Sequence, residues 1–226
     1  MTVVSLKPDY SRRDGTFKAE FSDGSSFLFS PEYLPDRFDP ALWETSVLNT
    51  AAVNTGANST GPEYAGRDLA QDEEEAFRFA AACYRAESSA LRLIARAEQN
   101  SLGLTAKLER RGYDAAVVKA VIFSLLDRNL LNDQRYAEIW LRSRLLAKKA
   151  ESPRRLLFSL RKRGIPRDSS SEAMKTALDG ETEYVLLLRY LENAWSGDGK
   201  RTISLKSRLR YEGFSLAAID RYYDTF

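Results

Sequence analysis

Three segments of the chain carry the same short pattern, and this repeat constrains the fold more than any other feature. In each copy two leucines stand four residues apart, a glycine follows four residues later, and a large apolar residue comes next. The copies span residues 104–113, 156–165 and 205–214, and their glycines are 52 and 49 residues apart. Leucines four apart share one helix face, and a glycine just beyond supplies the left-handed residue that ends many helices. The pattern therefore predicts three helices that each end at a glycine.

Each predicted stop lies between two further helical segments. Longer helices are expected before the stops, over residues 75–98, 134–149 and 183–195. Shorter helices are expected after them, over residues 115–129, 169–178 and 216–223, with Asp114, Asp168 and Ser215 as N-caps. Three helices in about 50 residues bury little surface alone, so the units should pack along one another. We therefore predict a mainly α fold of three tandem three-helix repeats that form an extended curved body.

The first 44 residues follow a different pattern. Residues 16–21 and 26–29 alternate aromatic or apolar with polar side chains, and an Asp-Gly pair at 23–24 separates them. This is a strong hairpin signal because glycine accepts a positive φ. With residues 2–7 as a possible third strand, a small N-terminal β-sheet is expected. Ser30 and Pro31 then predict a short helical turn.

A polar segment separates this sheet from the helices. Residues 54–62 offer little apolar surface to offset the entropy of ordering, so residues 45–72 are expected to be a linker. The expected organisation is a β subdomain over residues 1–44, the linker, and helical repeats over 73–131, 132–180 and 181–226.

The absence of histidine and the single cysteine exclude many enzymes. Without imidazole there is no Ser-His-Asp or Cys-His nucleophile and no His-bearing zinc site, and one thiol cannot build a Cys₄ site or an internal disulfide. Cys83 lies in a helical apolar pattern and is expected in the core. No Gly-Lys-Ser/Thr phosphate loop occurs, and no carboxylate pair stands out. We expect no enzymatic activity, no cofactor and no metal.

No run approaches the roughly 18 apolar residues of a membrane span, and the first residues lack a basic segment followed by an apolar one. We therefore expect a soluble, cytoplasmic protein with no membrane partner. A monomer is also expected.

The charges are distributed unevenly, although 34 basic side chains nearly cancel 32 acidic ones. Residues 1–100 carry 10 basic and 16 acidic side chains, residues 101–180 carry 17 and 9, and residues 181–226 carry 7 of each. Such a cationic block raises local affinity for polyanions. Its partner can be nucleic-acid phosphate or an acidic protein surface, and a solvated face that only aids solubility is the alternative.

Twelve cations of this block are candidate contacts. Several flank an apolar face that carries Tyr136 and Trp140; these aromatics could stack on a base, but their place on that face favours the core. The candidates are Arg110, Arg111, Arg142, Arg144, Lys148, Lys149, Arg154, Arg155, Arg161, Lys162, Arg163 and Arg167.

The repeats resemble the RecX family of recombinase regulators at three places, residues 104–113, 130–137 and 153–165. The second, Leu-Leu-Asn-Asp-Gln-Arg-Tyr-Ala, is the most specific: the leucines close one unit and Asp133 is expected to cap the next helix. The resemblance covers residues 87–178 well and 181–226 more loosely, and the N-terminal sheet resembles an extension of some members. Three departures, Gly103, Ser152 and the serine run 169–171, suggest weaker local helices.

The resemblance implies a protein that binds the helical groove of the RecA–DNA filament and suppresses strand exchange, ATP turnover and co-protease activity. It implies a role in DNA recombination and repair and in the SOS response. The expected partners are the RecA recombinase filament and single- and double-stranded DNA. Occupying a groove needs no catalytic group, which agrees with the absence of histidine.

Two other interpretations stay open. One is a helical, transcription-factor-like DNA-binding protein without a RecA partner, although three copies of one interhelix turn are unlike a dimer that reads DNA with one recognition helix per chain. The other is a helical scaffold that binds protein only, which would fail to bind DNA at low salt.

Overall fold

The computed structural model describes residues 2–9, 15–35, 68–194 and 203–225. The predicted linker falls outside these residues as far as residue 67. The strands are β1 Val3–Pro8, β2 Phe17–Phe21 and β3 Ser26–Phe29. The α-helices are α1 Gln71–Ile94, α2 Ser101–Glu109, α3 Ala115–Asp127, α4 Asp133–Leu145, α5 Pro153–Lys162, α6 Arg167–Ala177, α7 Gly180–Ala194, α8 Ile203–Tyr211 and α9 Leu216–Asp224. The chain is mainly helical with a small N-terminal sheet, as the sequence predicted.

The chain divides into two compact units. One comprises Met1–Leu93 with Lys107–Ser124, and the other comprises Ile94–Ala106 with Leu125–Phe226. The divisions expected near residues 44, 72, 131 and 180 stay predictions. Among the helices that the structure describes, none combines the length and the apolar character needed to cross a membrane.

The N-terminal sheet is antiparallel, in the order β1-β2-β3. Gly24 has φ 81° in the turn between β2 and β3, where the Asp23 carboxylate accepts the Ser25 backbone N–H at 2.9 Å. The predicted Asp-Gly hairpin and the third strand are therefore confirmed.

Aromatic packing joins this sheet to α1 within the first unit. The Phe77 ring of α1 meets the rings of Phe21 and Phe29 edge-on, with centroids 6.4 and 5.4 Å apart. A 3₁₀ turn over Pro31–Tyr33 follows β3, and the Tyr33 hydroxyl donates to the buried Glu87 carboxylate at 3.0 Å. The expected turn is present, but the Ser30 side chain makes no capping bond.

Cys83 is completely buried on α1. Burial, and secondarily the Glu87 and Glu32 carboxylates, raise the pKa of its thiol to about 12. A protonated, enclosed thiol is a core group, in agreement with the sequence prediction.

The three predicted helix stops are confirmed. Gly112, Gly164 and Gly213 have φ values of 86°, 78° and 89°. In each stop the glycine N–H bonds the carbonyl three residues back, and the next residue's N–H bonds the carbonyl five residues back, as for Tyr113 to Leu108. This is the Schellman motif, repeated three times. Asn129, at φ 54°, ends α3 in the same way, and sequence reasoning missed it.

Two cap assignments were wrong. Pro166 holds the extended backbone before α6, so that helix begins at Arg167 and Asp168 lies inside its first turn. Asn132 caps α4 by accepting the Arg135 N–H at 2.9 Å, and Asp133 is the first helical residue. Ser215 caps α9 as predicted, since its hydroxyl accepts the Ala218 N–H.

The second unit contains a core that the second and third repeats share. Its buried members are Ala137, Leu141, Ala150, Leu156, Leu160, Ile165, Ala173, Leu186, Leu187, Leu205, Leu209, Phe214, Ala218 and Ile219. The paired leucines of two repeated segments are among them, because positions i and i+4 face the same side of α5 and α8. The two repeats therefore stabilise each other.

The same contact between neighbouring repeats occurs twice in this unit. The Asn100 amide, before α2, donates to the Arg163 carbonyl at 2.6 Å. The Arg154 backbone N–H, at the start of α5, donates to the Glu212 carbonyl at 2.9 Å. Both acceptors immediately precede a stop glycine. In the first and second repeats, the start of the second helix is thus hydrogen-bonded to the stop of the following repeat.

Candidate nucleic-acid interface

The structure places the twelve predicted cations in two groups. Arg110 and Arg111 follow α2 in the first unit, where Arg111 donates to the Ser89 carbonyl at 3.5 Å. The other ten lie in the second repeat, and all of these except the half-buried Arg163 are exposed. The two groups belong to different compact units, so only the group of ten is treated as one surface, the basic surface of the second repeat.

The cations expected on a single helix over residues 134–149 are divided between a helix and a loop. Arg142 and Arg144 lie on α4, but α4 ends at Leu145, and Lys148 and Lys149 stand in the loop that follows. The predicted helix end was therefore wrong by four residues.

Arg189 of α7 explains why α4 ends there. Its guanidinium donates to the carbonyls of Leu145 and Ala147. These carbonyls have no partner within the helix, and the charged donors satisfy them. Because Arg189 lies more than 40 residues further along the chain, no local pattern could indicate this stop.

Helix α5 carries four of the ten cations. Ser152 caps it, Pro153 occupies the first turn, and Leu156 and Leu160 are buried. The opposite side carries Arg154, Arg155, Arg161 and Lys162, all exposed. The strong separation of apolar and charged faces fixes the direction in which these cations point.

The Trp140 ring contacts two arginine side chains, so it is not freely available for stacking on a base. Its ring packs against the shared core, and the guanidinium groups of Arg163 and Arg144 lie 4.5 and 5.4 Å from its centre. Tyr136 also packs against this core. The expectation that both aromatics belong to the core fits these contacts, and Trp140 in addition orients two candidate cations.

The remaining candidates lie at the end of α5. Arg163 donates to the Ser159 carbonyl at 2.9 Å, and Arg167 is the exposed first residue of α6. Within the described part of the chain, the ten cations form one ion pair, between Arg144 and Glu151 at 3.6 Å. Nearly all of the positive charge on this basic surface is therefore not neutralised by ion pairs and is available to an external partner.

A cleft between the second and third repeats contains functional candidates that sequence reasoning missed. It has a volume of about 530 Å³, and three of its cations, Lys149, Arg154 and Arg155, were predicted. Phe158, Tyr190, Arg208 and Tyr211 also line it and were not. The signal available in the sequence was Phe158, an aromatic residue off the leucine face of α5.

The aromatic residues of this cleft differ in exposure. Phe158 is 67% exposed and Tyr211 is 65% exposed, and the Arg154 guanidinium lies 3.8 Å from the centre of the Tyr211 ring. Tyr190 is half-buried, its ring centre is 5.4 Å from that of Phe214, and burial raises the pKa of its phenol. The cleft thus presents two exposed rings beside several cations.

Comparison with known proteins identifies relatives of this chain. A family model described as RecX, second three-helix domain, matches residues 132–174. Regulatory protein RecX of Treponema pallidum (strain Nichols) is 38% identical over 114 residues, which are 50% of this chain and 69% of that protein. Regulatory protein RecX of Halorhodospira halophila is 33% identical over 119 residues, which are 53% of this chain and 71% of that protein.

Two solved structures share the fold. A crystal structure of regulatory protein RecX covers 99% of this chain and 98% of its own, with a TM-score of 0.59 at 15% identity. RecX from Lactobacillus salivarius covers 64% of this chain and 96% of its own, with a TM-score of 0.50 at 23% identity.

Proposed function

The chain belongs to the RecX family of regulatory proteins, and from this premise we propose that it is a non-enzymatic regulator that binds the RecA–DNA filament in its helical groove. Bound there, it inhibits the strand exchange, ATPase and co-protease activities of RecA and so modulates DNA recombination and repair. Its partners are the RecA filament and single- and double-stranded DNA, and it acts as a monomer.

The observation that carries this proposal is the basic surface of the second repeat. Nine exposed cations and the half-buried Arg163 lie on or beside α4, α5 and α6, with a single ion pair among them in the described residues. Lysine and arginine side chains of this kind bind phosphate oxygens without reading base sequence. A filament groove offers such phosphates beside a protein surface, and occupying it requires no catalytic group.

The deciding experiment is a RecA ATPase assay on single-stranded DNA with this protein titrated in. We expect ATP turnover to fall as the protein is added. Unchanged turnover at concentrations that saturate free DNA would reject the filament proposal. If turnover is unchanged, a binding preference for a palindromic duplex would favour the transcription-factor interpretation. If ATP turnover falls but the protein does not bind DNA at low salt, a contact with protein only is favoured.

A further inference from the structure

We infer that the cleft lined by Lys149, Arg154, Arg155, Phe158, Arg208 and Tyr211 binds a nucleotide unit of single-stranded nucleic acid, holding its phosphate with the cations and stacking its base on Phe158 or Tyr211. This inference rests on the proposed function, because it assigns one part of the DNA contact. It goes further by giving the contact a location and a preference for unpaired bases.

The charge of the cleft favours an anionic ligand. Among the described residues, four cations line it against one carboxylate, that of Glu212. This carboxylate already accepts a hydrogen bond from the Ser152 hydroxyl at 2.6 Å. Lys149 and Arg155 form no ion pair with any described residue. The charge of these two cations is therefore available to a phosphate group.

The aromatic rings distinguish this cleft from a general basic surface. Phe158 and Tyr211 leave about two thirds of their surface in solvent, and neither belongs to the shared core. A single exposed ring is ordinary, but here two line the same cleft beside the cations, and exposed apolar surface grouped in this way marks a binding site. The Arg154 guanidinium covers one face of the Tyr211 ring, but Tyr211 is still 65% exposed, so ring surface remains for a base. Exposed aromatic rings bind bases by stacking.

The same rings select for single strands. In a duplex each base is covered on both faces by its neighbours, so a side chain cannot stack on it without paying to unstack the helix. In a single strand the base faces are free, and stacking on an aromatic side chain is favourable for any base. The cleft volume of about 530 Å³ falls within the roughly 300–1,000 Å³ of pockets for small ligands.

The test compares a thymidine oligonucleotide with an abasic oligonucleotide of the same length and charge. Both offer phosphates, but only the first offers bases. We expect the full chain to bind the thymidine oligonucleotide more tightly. At least one of the variants Phe158→Ala and Tyr211→Ala should weaken that binding by roughly 5- to 150-fold, the range expected for one lost base–aromatic stack. Binding to the abasic oligonucleotide should change by less than about twofold, since its phosphate contacts remain.

Two control variants test whether the effect depends on the aromatic ring and on its place in the cleft. Tyr211→Phe keeps the ring and should behave as the unchanged chain does. Phe123→Ala removes a ring of similar exposure, 72%, from α3 and should not affect either oligonucleotide. Circular dichroism confirms that each variant is folded, which is expected because the replaced side chains are exposed.

Three results would overturn the inference. The first is equal binding of thymidine and abasic oligonucleotides by the unchanged chain. The second is unaltered binding of the thymidine oligonucleotide by both folded variants, Phe158→Ala and Tyr211→Ala. The third is tighter binding of polyglutamate than of the thymidine oligonucleotide, which would make the cleft a protein contact.

RecA ATPase inhibition, measured on the same variants, separates this inference from the proposed function. Inhibition without any contribution from bases rejects only the cleft, and a base contribution without inhibition rejects only the filament proposal.

Discussion

The three stop glycines share a backbone conformation but have different surroundings. A methyl group built at Gly164 would clash with Leu102 Cδ2 and would lie 2.8 Å from Leu102 Cβ. At Gly213 it would lie 3.3 Å from the Arg154 backbone nitrogen, and at Gly112 it would meet no described atom within 4 Å. Positive φ could be predicted from the pattern, because it is local. The close approach of the preceding repeat could not be predicted, because it depends on tertiary packing.

We expect alanine substitutions to rank in the order of these contacts. Gly112→Ala should destabilise by about 1–2 kcal/mol, because only the left-handed backbone disfavours a side chain there. Gly213→Ala should cost somewhat more, and Gly164→Ala the most, with about 1–3 kcal/mol added by overpacking. Chemical denaturation of the full chain measures the differences.

A double-mutant cycle tests the cause of the ranking. Leu102→Ala removes the Cδ2 contact and should recover part of the loss in the Gly164→Ala background but none in the Gly112→Ala background. Equal losses for all three glycines would mean that backbone strain alone determines the cost.

At the scale of whole helices, the sequence predicted which helices exist better than it predicted where they begin and end. All of the expected α-helices are present, because their apolar spacing, glycine stops and prolines are local signals. Their ends were missed where a side chain from a distant helix supplies the cap. Arg189 ends α4, and the Asp133 carboxylate accepts the N–H and the hydroxyl of Ser101 at 2.7 and 2.6 Å. Asp133 thus caps α2, not its own helix.

This cross-capping occurs again in the third repeat. The buried Glu183 accepts the N–H and the hydroxyl of Ser215, at 2.7 and 2.6 Å, where α9 begins. In the specific motif over residues 130–137, Arg135 also pairs with Glu98 at 2.8 Å and donates to the Asn129 and Leu130 carbonyls. The polar residues of the motif therefore join helices to one another.

Removal of the Asp133 carboxylate is expected to destabilise the chain by about 1–2 kcal/mol, as loss of a helix cap does. Asp133→Ala leaves the Ser101 N–H without its acceptor, whereas Asp133→Asn keeps one acceptor oxygen and should lose less. Hydrogen exchange should show the faster opening at residues 101–104. Faster exchange confined to the first turn of α4 would instead support the sequence-based prediction that Asp133 caps α4.

The candidate interface was predictable to a similar extent. Charge counting identified the cations of the second repeat, because solvated lysines and arginines need no particular partner to be exposed. It could not find Phe158 with Tyr211 and Arg208, which belong to different repeats and come together only through packing of α5 with the third repeat. Trp140 illustrates the converse, since two guanidinium groups cover a ring that sequence alone leaves open to a base.

At the scale of the whole molecule, the polar segment over residues 54–62 should be the first site of proteolysis. Its small polar side chains offer little apolar surface to bury, and such segments are cleaved before packed helices. Limited digestion with a nonspecific protease, followed by mass spectrometry, should therefore yield a stable fragment that contains residues 101–180. Cleavage within 101–180 while the chain is intact at 54–62 would contradict the predicted linker.

The salt dependence of DNA binding tests whether the basic surface of the second repeat faces phosphates. Each lysine or arginine that contacts a phosphate releases counterions, so each lost contact flattens the slope of log affinity against log salt by roughly 0.7–0.9. Arg155 and Lys162 are the best pair to change. Both are exposed on α5, seven residues apart and so about 10 Å along the helix, and neither forms an ion pair with a described residue.

Reversal of both charges, Arg155→Glu with Lys162→Glu, should flatten the slope by roughly 1.4–1.8 if both contacts are lost. It should also weaken RecA inhibition, while helicity stays unchanged because neither side chain packs in the core. The matched control is Arg96→Glu with Lys119→Glu, the same change of charge at exposed positions outside the candidate set. If the control pair reduces the slope and the inhibition as much as the α5 pair does, then net charge alone attracts DNA. The second repeat would then be an ordinary solvated surface.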